Sequence, residues 1–290
     1  MTAQRRFASL IIFYGTDIIV ITKSISELKR RLSMSAKESE IVIKDIRTLV
    51  DAILNANESM GINIWWRGQR KAKEWSLKPS IFREPHEPYH EVFISKEFML
   101  KAPARHMAVP KEDDLFGWLF MMQHYGLPTR LLDWTESPLV AAYFAVESSF
   151  DSDADGCLYA LQPGLLNSIQ GGASIIVTPT LENETVKACV KPAFDEKAKD
   201  VNYIIGIAPT VMDIRIMAQL SMFTLHGSNL AIEDLTYQQA FLIKFLIPYS
   251  AKSELFGQLS YGLGIREANL FPDLEHLARE IKSHRYMSPR

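Results

Sequence analysis

The stretch Met121–Val146, MMQHYGLPTRLLDWTESPLVAAYFAV, constrains the fold more than any other part of the chain. It sets Gln, His, Tyr, Arg, Asp, Trp and Thr between two apolar segments. Folded chains keep unpaired charges at the surface, so an Arg and an Asp flanking Leu131 and Leu132 imply a buried, paired network or a site. Gly126 is placed to end a helix over residues 112 to 125 that carries Leu115, Trp118, Leu119 and Met122. Pro128 and the spacing of TRLLDWT predict an extended segment anchored by the two leucines, with Arg130 and Asp133 meeting across a turn. Ser137 followed by Pro138 is a helix start, a hydroxyl cap with proline at the first helical position. Leu139, Ala142, Tyr143 and Val146 then share one face.

The flanking segments supply both kinds of element. SISELKRRLSMSAKESEIVIKDIRTLVDAILNA reads as helical after Ser24, with Ile46, Leu49, Val50 and Ile53 at helical spacing and an end near Asn57. INIWWRG alternates as a strand that stops at Gly68, and KEWSLKPSIFRE follows as a proline-bounded turn and short segment. DADGCLYAL is a turn into a strand, residues 163 to 210 read as loop-rich, and SMFTLH and FLIKFLIP read as two more strands. FPDLEHLAREIK closes the chain with Leu274, Leu277, Ala278 and Ile281 on one helical face. The sum is an α+β fold without internal repeats.

A net charge of -2 argues against a generic electrostatic grip on nucleic acid, although the basic runs at Lys29–Arg31 and in KSHRYMSPR could touch phosphates. Cys157 and Cys189 are too few for a disulfide framework or a structural zinc site and fit a reducing cytoplasm, the expected location. The N-terminal MTAQRRFASLIIFYGTDIIVITKS does not read as a leader: Asp17 interrupts its apolar run, no small-residue cleavage site follows, and DIIVITK reads as a strand. No stretch reaches the roughly 18 uninterrupted apolar residues of a membrane span. No metal is expected, because His124 and His226 lack partners at ligand spacing and H-E-x-x-H is absent. A phosphate loop and a dinucleotide-binding glycine fingerprint are absent as well.

IWWRGQ, SLKPSIFR, MMQHYGLPTRLLDWTESPLVAAYFAV, DIRIMAQLSMFTLHG and GIREANLFPDLEHLA occur in the order and spacing of the FRG domain family, which the chain resembles over most of its length. The implied organisation is an N-terminal strand and helix extension over residues 1–40, the FRG domain over 41–282 and a tail over 283–290. WWRGQ and DWTESPLVAAYFA are in turn similar to two elements of the ADP-ribosyltransferases, an early strand ending in Arg and a Ser/Thr strand leading into a helix. This second resemblance implies a split mixed or antiparallel sheet flanked by helices, with a cleft between the Arg67 strand and residues 123 to 135. It also implies NAD as substrate. Arg67 would bind the pyrophosphate, Gly68 would permit close backbone approach, and Gln69 would line the same edge. His124 would bond a ribose hydroxyl and Tyr125 would stack on nicotinamide or the base, with Trp134 and Tyr143 as rival stacking groups.

Thr135 would be the counterpart of the transferase Ser/Thr, and Arg130 belongs either to the cofactor site or to a loop-shaping network with Asp133. Glu267 is the catalytic carboxylate by position and Asp133 the reserve, since no E-x-E or Q-x-E follows Gln219. Glu233 and Glu254 read as solvated charges. Arg215, Gln219, Thr224 and His226 would complete the pocket wall. The expected activity is transfer of ADP-ribose from NAD to a macromolecular acceptor, nucleic acid or protein, by a bacterial or phage-defence toxin with a neutralising antitoxin or restraining partner. The alternative is a non-catalytic nucleotide or nucleic-acid recognition module. A nuclease lacks its metal-binding acidic cluster.

Overall fold

A computed structural model describes residues 10–14, 17–21, 41–85, 90–147, 153–171, 183–209 and 214–286. The expected helix between Ser24 and residue 40, the basic run Lys29–Arg31 and the last four residues lie outside this set. Strands β1 (Leu10–Tyr14) and β2 (Asp17–Ile21) pair antiparallel, in keeping with the strand read in DIIVITK.

The main body is mixed α/β, a six-stranded antiparallel sheet flanked by helices. Its strands are β3 (Trp65–Gln69), β4 (Leu131–Thr135), β5 (Gly156–Leu161), β6 (Ile204–Ile207), β7 (Ser221–His226) and β8 (Leu242–Ile247), in the order β6-β7-β4-β3-β5-β8. β4 pairs along its whole length with β7, from Leu131↔Leu225 to Thr135↔Ser221, and β3 does the same with β5. Between β3 and β4 the register holds at the single pair Trp66↔Thr135. The two halves of the sheet join there, at the end of β4, and part beyond the join toward Gln69 of β3 and Leu131 of β4.

The helices are α1 (Ile46–Met60), α2 (His90–Lys101), α3 (Leu115–His124), α4 (Pro138–Val146), α5 (Pro163–Gly171), α6 (Glu184–Val190), α7 (Ile214–Gln219), α8 (Tyr249–Gly257), α9 (Glu267–Leu270) and α10 (Leu274–Tyr286). Asp45 and Thr48 cap α1 reciprocally, satisfying backbone N–H groups that a helix start leaves without partners. Gly126 takes φ 80 directly after α3, the left-handed stop that its glycine predicts. Ser137 accepts from the Val140 N–H and Pro138 opens α4, as their pairing predicts.

An almost wholly apolar helix such as α4 must be covered on all sides. Val140, Ala141, Ala142, Tyr143, Ala145 and Val146 are all buried, in a core built with α1, Trp66, Leu158, Ala160 and Phe245. The other sheet face carries Trp65, Leu132, Trp134, Tyr159 and Leu161. A third cluster sets Leu119, Phe120 and Met122 of α3 over Leu131, Phe223 and Leu225. Both cysteines are buried, and burial pushes the Cys157 thiol up to about 11 and the Cys189 thiol up to about 12.

Two expectations need correction. Residues 163 to 210 are not loop-rich where described, since they hold α5, α6 and β6. Asn167 of α5 donates to the Gly206 carbonyl and accepts from the Gly206 N–H, satisfying the free edge of β6. Such short elements owe their existence to burial, which leaves little periodic signal. The stripe of α10 is helical but does not enter the core: Leu274 is 83% exposed, and Leu277, Ala278 and Ile281 are exposed too. The inner face of α10 holds His276 and Glu280 instead. Among the described residues, no helix is long and apolar enough to cross a membrane.

Candidate active site in the opened sheet

Where β3 and β4 part, a cleft of about 390 Å³ opens, within the range of small-ligand sites. Arg67, Arg70 and Arg215 line it together with Asp133 and Glu147, giving a lining with more positive than negative side chains. Trp66, Trp75, Trp134, Phe144 and Phe271 supply aromatic wall.

Arg67 stands at the join. Its Nη1 donates to the Asp133 carbonyl at 2.6 Å, replacing the strand partner that the opening removes. The Asp133 carboxylate lies 4.0 Å from the same nitrogen. The Arg67 side chain is only 17% exposed, and its Nε is buried without an acceptor. Burial pulls the guanidinium down to about 10, against the pull of Asp133, so it stays charged at neutral pH. A buried guanidinium N–H without an acceptor is costly, and an anionic ligand would relieve that cost.

Asp133 faces solvent from the middle of β4, with its side chain 58% exposed. Both of its carboxylate oxygens accept from Gln123 Nε2 of α3, each at 2.9 Å. The loop after β3 is tied down independently. Lys252 Nζ donates to the Arg70 carbonyl at 2.7 Å, and the Leu77 N–H donates to Glu233 at 2.8 Å. Glu233 is thus an anchor rather than the solvated charge expected of it. The same loop presents Trp75, with the Arg70 guanidinium 5.6 Å from the ring centre. On the far wall, Arg215 lies 4.5 Å over one face of Phe271 and His276 stacks on that ring at 4.6 Å.

The structure brings Arg67, Gly68, Asp133, Trp134, Thr135, Arg215 and Gln219 to one cleft. Thr135 is 5% exposed and donates to the Gln219 carbonyl at 2.6 Å, linking β4 to α7. Gly68 lines the cleft, but its missing side chain serves packing: a Cβ there would lie 1.9 Å from the Ala141 carbonyl oxygen of α4.

The other candidates lie elsewhere. Gln69 is 1% exposed, beneath the sheet surface rather than on the cleft edge. His124 and Tyr125 are not part of the lining; Tyr125 packs on Phe98 and His106 instead. Tyr143 lies in the core, where burial raises its phenol well above the ordinary range, and its neighbour Phe144 reaches the cleft instead. Thr224 and His226 are wholly buried in a chain of hydrogen bonds: Trp134 Nε1 to Thr224 Oγ1, Thr224 Oγ1 to His226 Nε2, and His226 Nδ1 to the Leu230 carbonyl, each 3.1 Å.

Arg130 does not meet Asp133. Three residues apart along an extended chain, the two side chains leave on opposite faces. Arg130 is 2% exposed and pairs through Nε with Glu91 at 3.0 Å, with further bonds to the Cys189 carbonyl at 2.8 Å and to Asp200 at 3.5 Å. Burial pushes the Glu91 carboxyl up, against the pull of Arg130. Glu267, the carboxylate favoured by position, opens α9 and bonds Arg279 at 2.8 Å, outside the cleft. The reserve, Asp133, is the carboxylate beside Arg67. Arg70, Trp75, Gln123, Phe144, Glu147 and Phe271 also line the cleft. The first two follow the WWRG signal by a few residues, and Gln123 stands in the polar stretch itself. Among the described residues, no group of His, Cys, Asp and Glu could hold a metal ion.

The FRG domain family model matches residues 62–154, from just before β3 to just before β5. That range holds most of the cleft lining and ends short of Arg215, Gln219, Ser221 and Phe271. No curated protein and no solved structure matches the chain. The chain therefore carries an FRG domain over residues 62–154, the range that holds β3 with Arg67 and β4.

Proposed function

We propose that the cleft binds NAD as substrate and transfers its ADP-ribose to a macromolecular acceptor, nucleic acid or protein. The observation that carries this reading is Arg67, a buried, charged guanidinium with an acceptor-less Nε at the mouth of an opened sheet. Arg67, Arg70 and Arg215 suit a pyrophosphate. Trp75, on the tethered loop, suits stacking with an aromatic base. Asp133 suits the ribose, where a fixed carboxylate both accepts from hydroxyls and favours positive charge developing at the anomeric carbon. In the reaction the bond between that carbon and nicotinamide breaks, and nicotinamide leaves with the electron pair. The acceptor atom then bonds to the carbon and gives up its proton to base or solvent.

The order of elements agrees with the ADP-ribosyltransferase likeness of WWRGQ and DWTESPLVAAYFA, and the split between β3 and β4 supports it. The test is calorimetric NAD binding together with nicotinamide release, alone and with RNA, DNA and protein extracts. Neither binding nor release with every acceptor class supplied would refute it.

A second reading is a nucleotide recognition module. It is favoured by Glu267, whose carboxylate is engaged outside the cleft. Tight NAD or nucleotide binding without any release of nicotinamide selects it. An enzyme that consumes NAD or marks macromolecules in the cytoplasm harms its own cell, so the transferase reading includes a toxin or phage-defence role and a neutralising partner. Expression at high level without growth cost, while NAD turns over, argues against that role.

A further inference from the structure

Gln123, on α3, lines the cleft with Arg67, and its amide is fixed at both ends. The buried Thr129 hydroxyl accepts from the Leu131 N–H at 3.1 Å. Its one proton is then directed at Gln123 Oε1, 2.5 Å away. With the oxygen so engaged, the NH₂ end of the amide must face β4, where it meets Asp133 Oδ1 and Oδ2 at 2.9 Å each. The orientation is set by the hydrogen-bond sequence Leu131 to Thr129 to Gln123, since a flipped amide would aim its oxygen at a carboxylate.

The partner matters as much as the geometry. The Arg67 guanidinium bonds the Asp133 carbonyl, and its Nη1 forms only a long ion pair with the carboxylate, at 4.0 Å. A neutral amide holds the carboxylate in place and leaves its charge in force. A carboxylate offers about four acceptor sites, so lone pairs remain for ligand hydroxyls after the two bonds from Gln123.

We infer that Gln123 is a positioning residue for Asp133, holding the carboxylate at the angle at which it meets the ribose of the substrate, with Thr129 fixing the amide. This rests on the transferase reading of the cleft. Thr129, itself 0% exposed, is not part of the cleft lining.

The test is a double-mutant cycle on nicotinamide release with Gln123→Met, Asp133→Asn and the double variant. Methionine keeps the length and volume of glutamine without its donors. Gln123→Met should lower kcat about ten- to a hundredfold, the scale of a catalytic group displaced by about 1 Å, with KM for NAD changed less than about threefold. In the Asp133→Asn background the same substitution should change nothing further, which a merely structural role would not produce. An equal loss in both backgrounds overturns the inference. A readout without turnover separates it from the transferase reading. In the wild-type protein the Gln123 side-chain amide protons should exchange slowly by NMR, and Asp133→Asn should shift them. If nicotinamide is never released the transferase reading fails alone. If the amide exchanges as a free one does, the positioning role fails whatever the cleft binds.

Discussion

Substituting Gly68 separates the packing role of the aromatic-Arg-Gly motif from its ligand role. In Gly68→Ala the new Cβ would lie 1.9 Å from the Ala141 carbonyl oxygen and 2.7 Å from the Ala145 nitrogen. Both are backbone atoms of a helix, so no side chain can swing aside; α4 itself must retreat by more than about 1 Å to reach ordinary van der Waals contact. α4 is buried nearly all round, so its retreat opens gaps against α1 and β5 at the same time. Overpacking costs about 1–3 kcal/mol where side chains adjust, and here the upper end or more applies. With about 2–4 °C of melting temperature per kcal/mol in a domain of this size, the loss should be roughly 6–12 °C.

Two other glycines calibrate it. At Gly156 a Cβ would meet the Ala145 carbonyl oxygen at 2.9 Å and Lys252 Cε at 3.1 Å, a milder clash. At Gly257, the helical last residue of α8, nothing lies within 4 Å, and alanine should stabilise by about 0.5–1 kcal/mol. Thermal and urea melts of the three variants should rank Gly257→Ala above wild type, Gly156→Ala below it and Gly68→Ala lowest. A Gly68→Ala protein that melts with wild type would refute the close approach of α4 and return this glycine to the ligand.

Arg67→Lys keeps the charge but loses the planar fork, so it should fold normally and lose about 2–4 kcal/mol of NAD binding or turnover, roughly thirty- to a thousandfold, by calorimetry and nicotinamide release. Glu91→Ala should cost about 3–5 kcal/mol in urea denaturation by leaving the buried Arg130 with only the longer contact to Asp200 as an ion pair, whereas Glu91→Leu with Arg130→Met should recover most of that loss. Asp133→Ala, at an exposed side chain, should leave stability within about 0.5 kcal/mol of wild type. Burial holds the His226 imidazole down to about 3 from an ordinary 6.5, so its contribution to stability is complete above pH 6.5 and lost as the pH falls toward 3. The slope is about 1.4 kcal/mol per pH unit in that window. His226→Asn, which keeps a donor for Leu230, should flatten denaturation-against-pH curves by that amount, and an unchanged slope would show that His226 is not buried neutral.

The local grammar of the chain was legible where geometry forces residue choice. The stop at Gly126 and the Ser137–Pro138 start follow from backbone constraints that act within a few residues. The strands of DADGCLYAL, SMFTLH and FLIKFLIP show as short apolar runs, and Arg67 near the end of a strand follows from the alternation of INIWWRG. What sequence spacing left dark is which face of an element meets which neighbour. α4 is apolar nearly all round, so periodicity could not tell the core residue Tyr143 from the cleft residue Phe144. Glu91 and Arg130 stand 39 positions apart, and nothing local joins them. Asp133 was the nearer charge in sequence, yet an odd separation along a strand sends it to the opposite face. Glu267 followed the last strand, as a late carboxylate should, but α10 supplies Arg279 and His276 to engage it away from the cleft.

The polar crowding between Met121 and Val146 resolves into two networks on opposite faces of one strand. On one face Arg130 is locked among Glu91, Asp200 and the Cys189 carbonyl, tying β4 to α2 and α6. On the other, Thr129, Gln123 and Asp133 form a chain that ends in an exposed carboxylate beside Arg67. Opening a sheet leaves backbone groups without strand partners, and a buried carbonyl left so costs about 1–3 kcal/mol. The Arg67 side chain gives the Asp133 carbonyl a partner there, with one of its nitrogens. The cation proposed to meet an anion is therefore the group that bridges the parted strands. Site and opening depend on one side chain, so a lysine at position 67, with one nitrogen on a flexible stem, can bridge the gap or meet an anion but cannot hold both in a fixed plane.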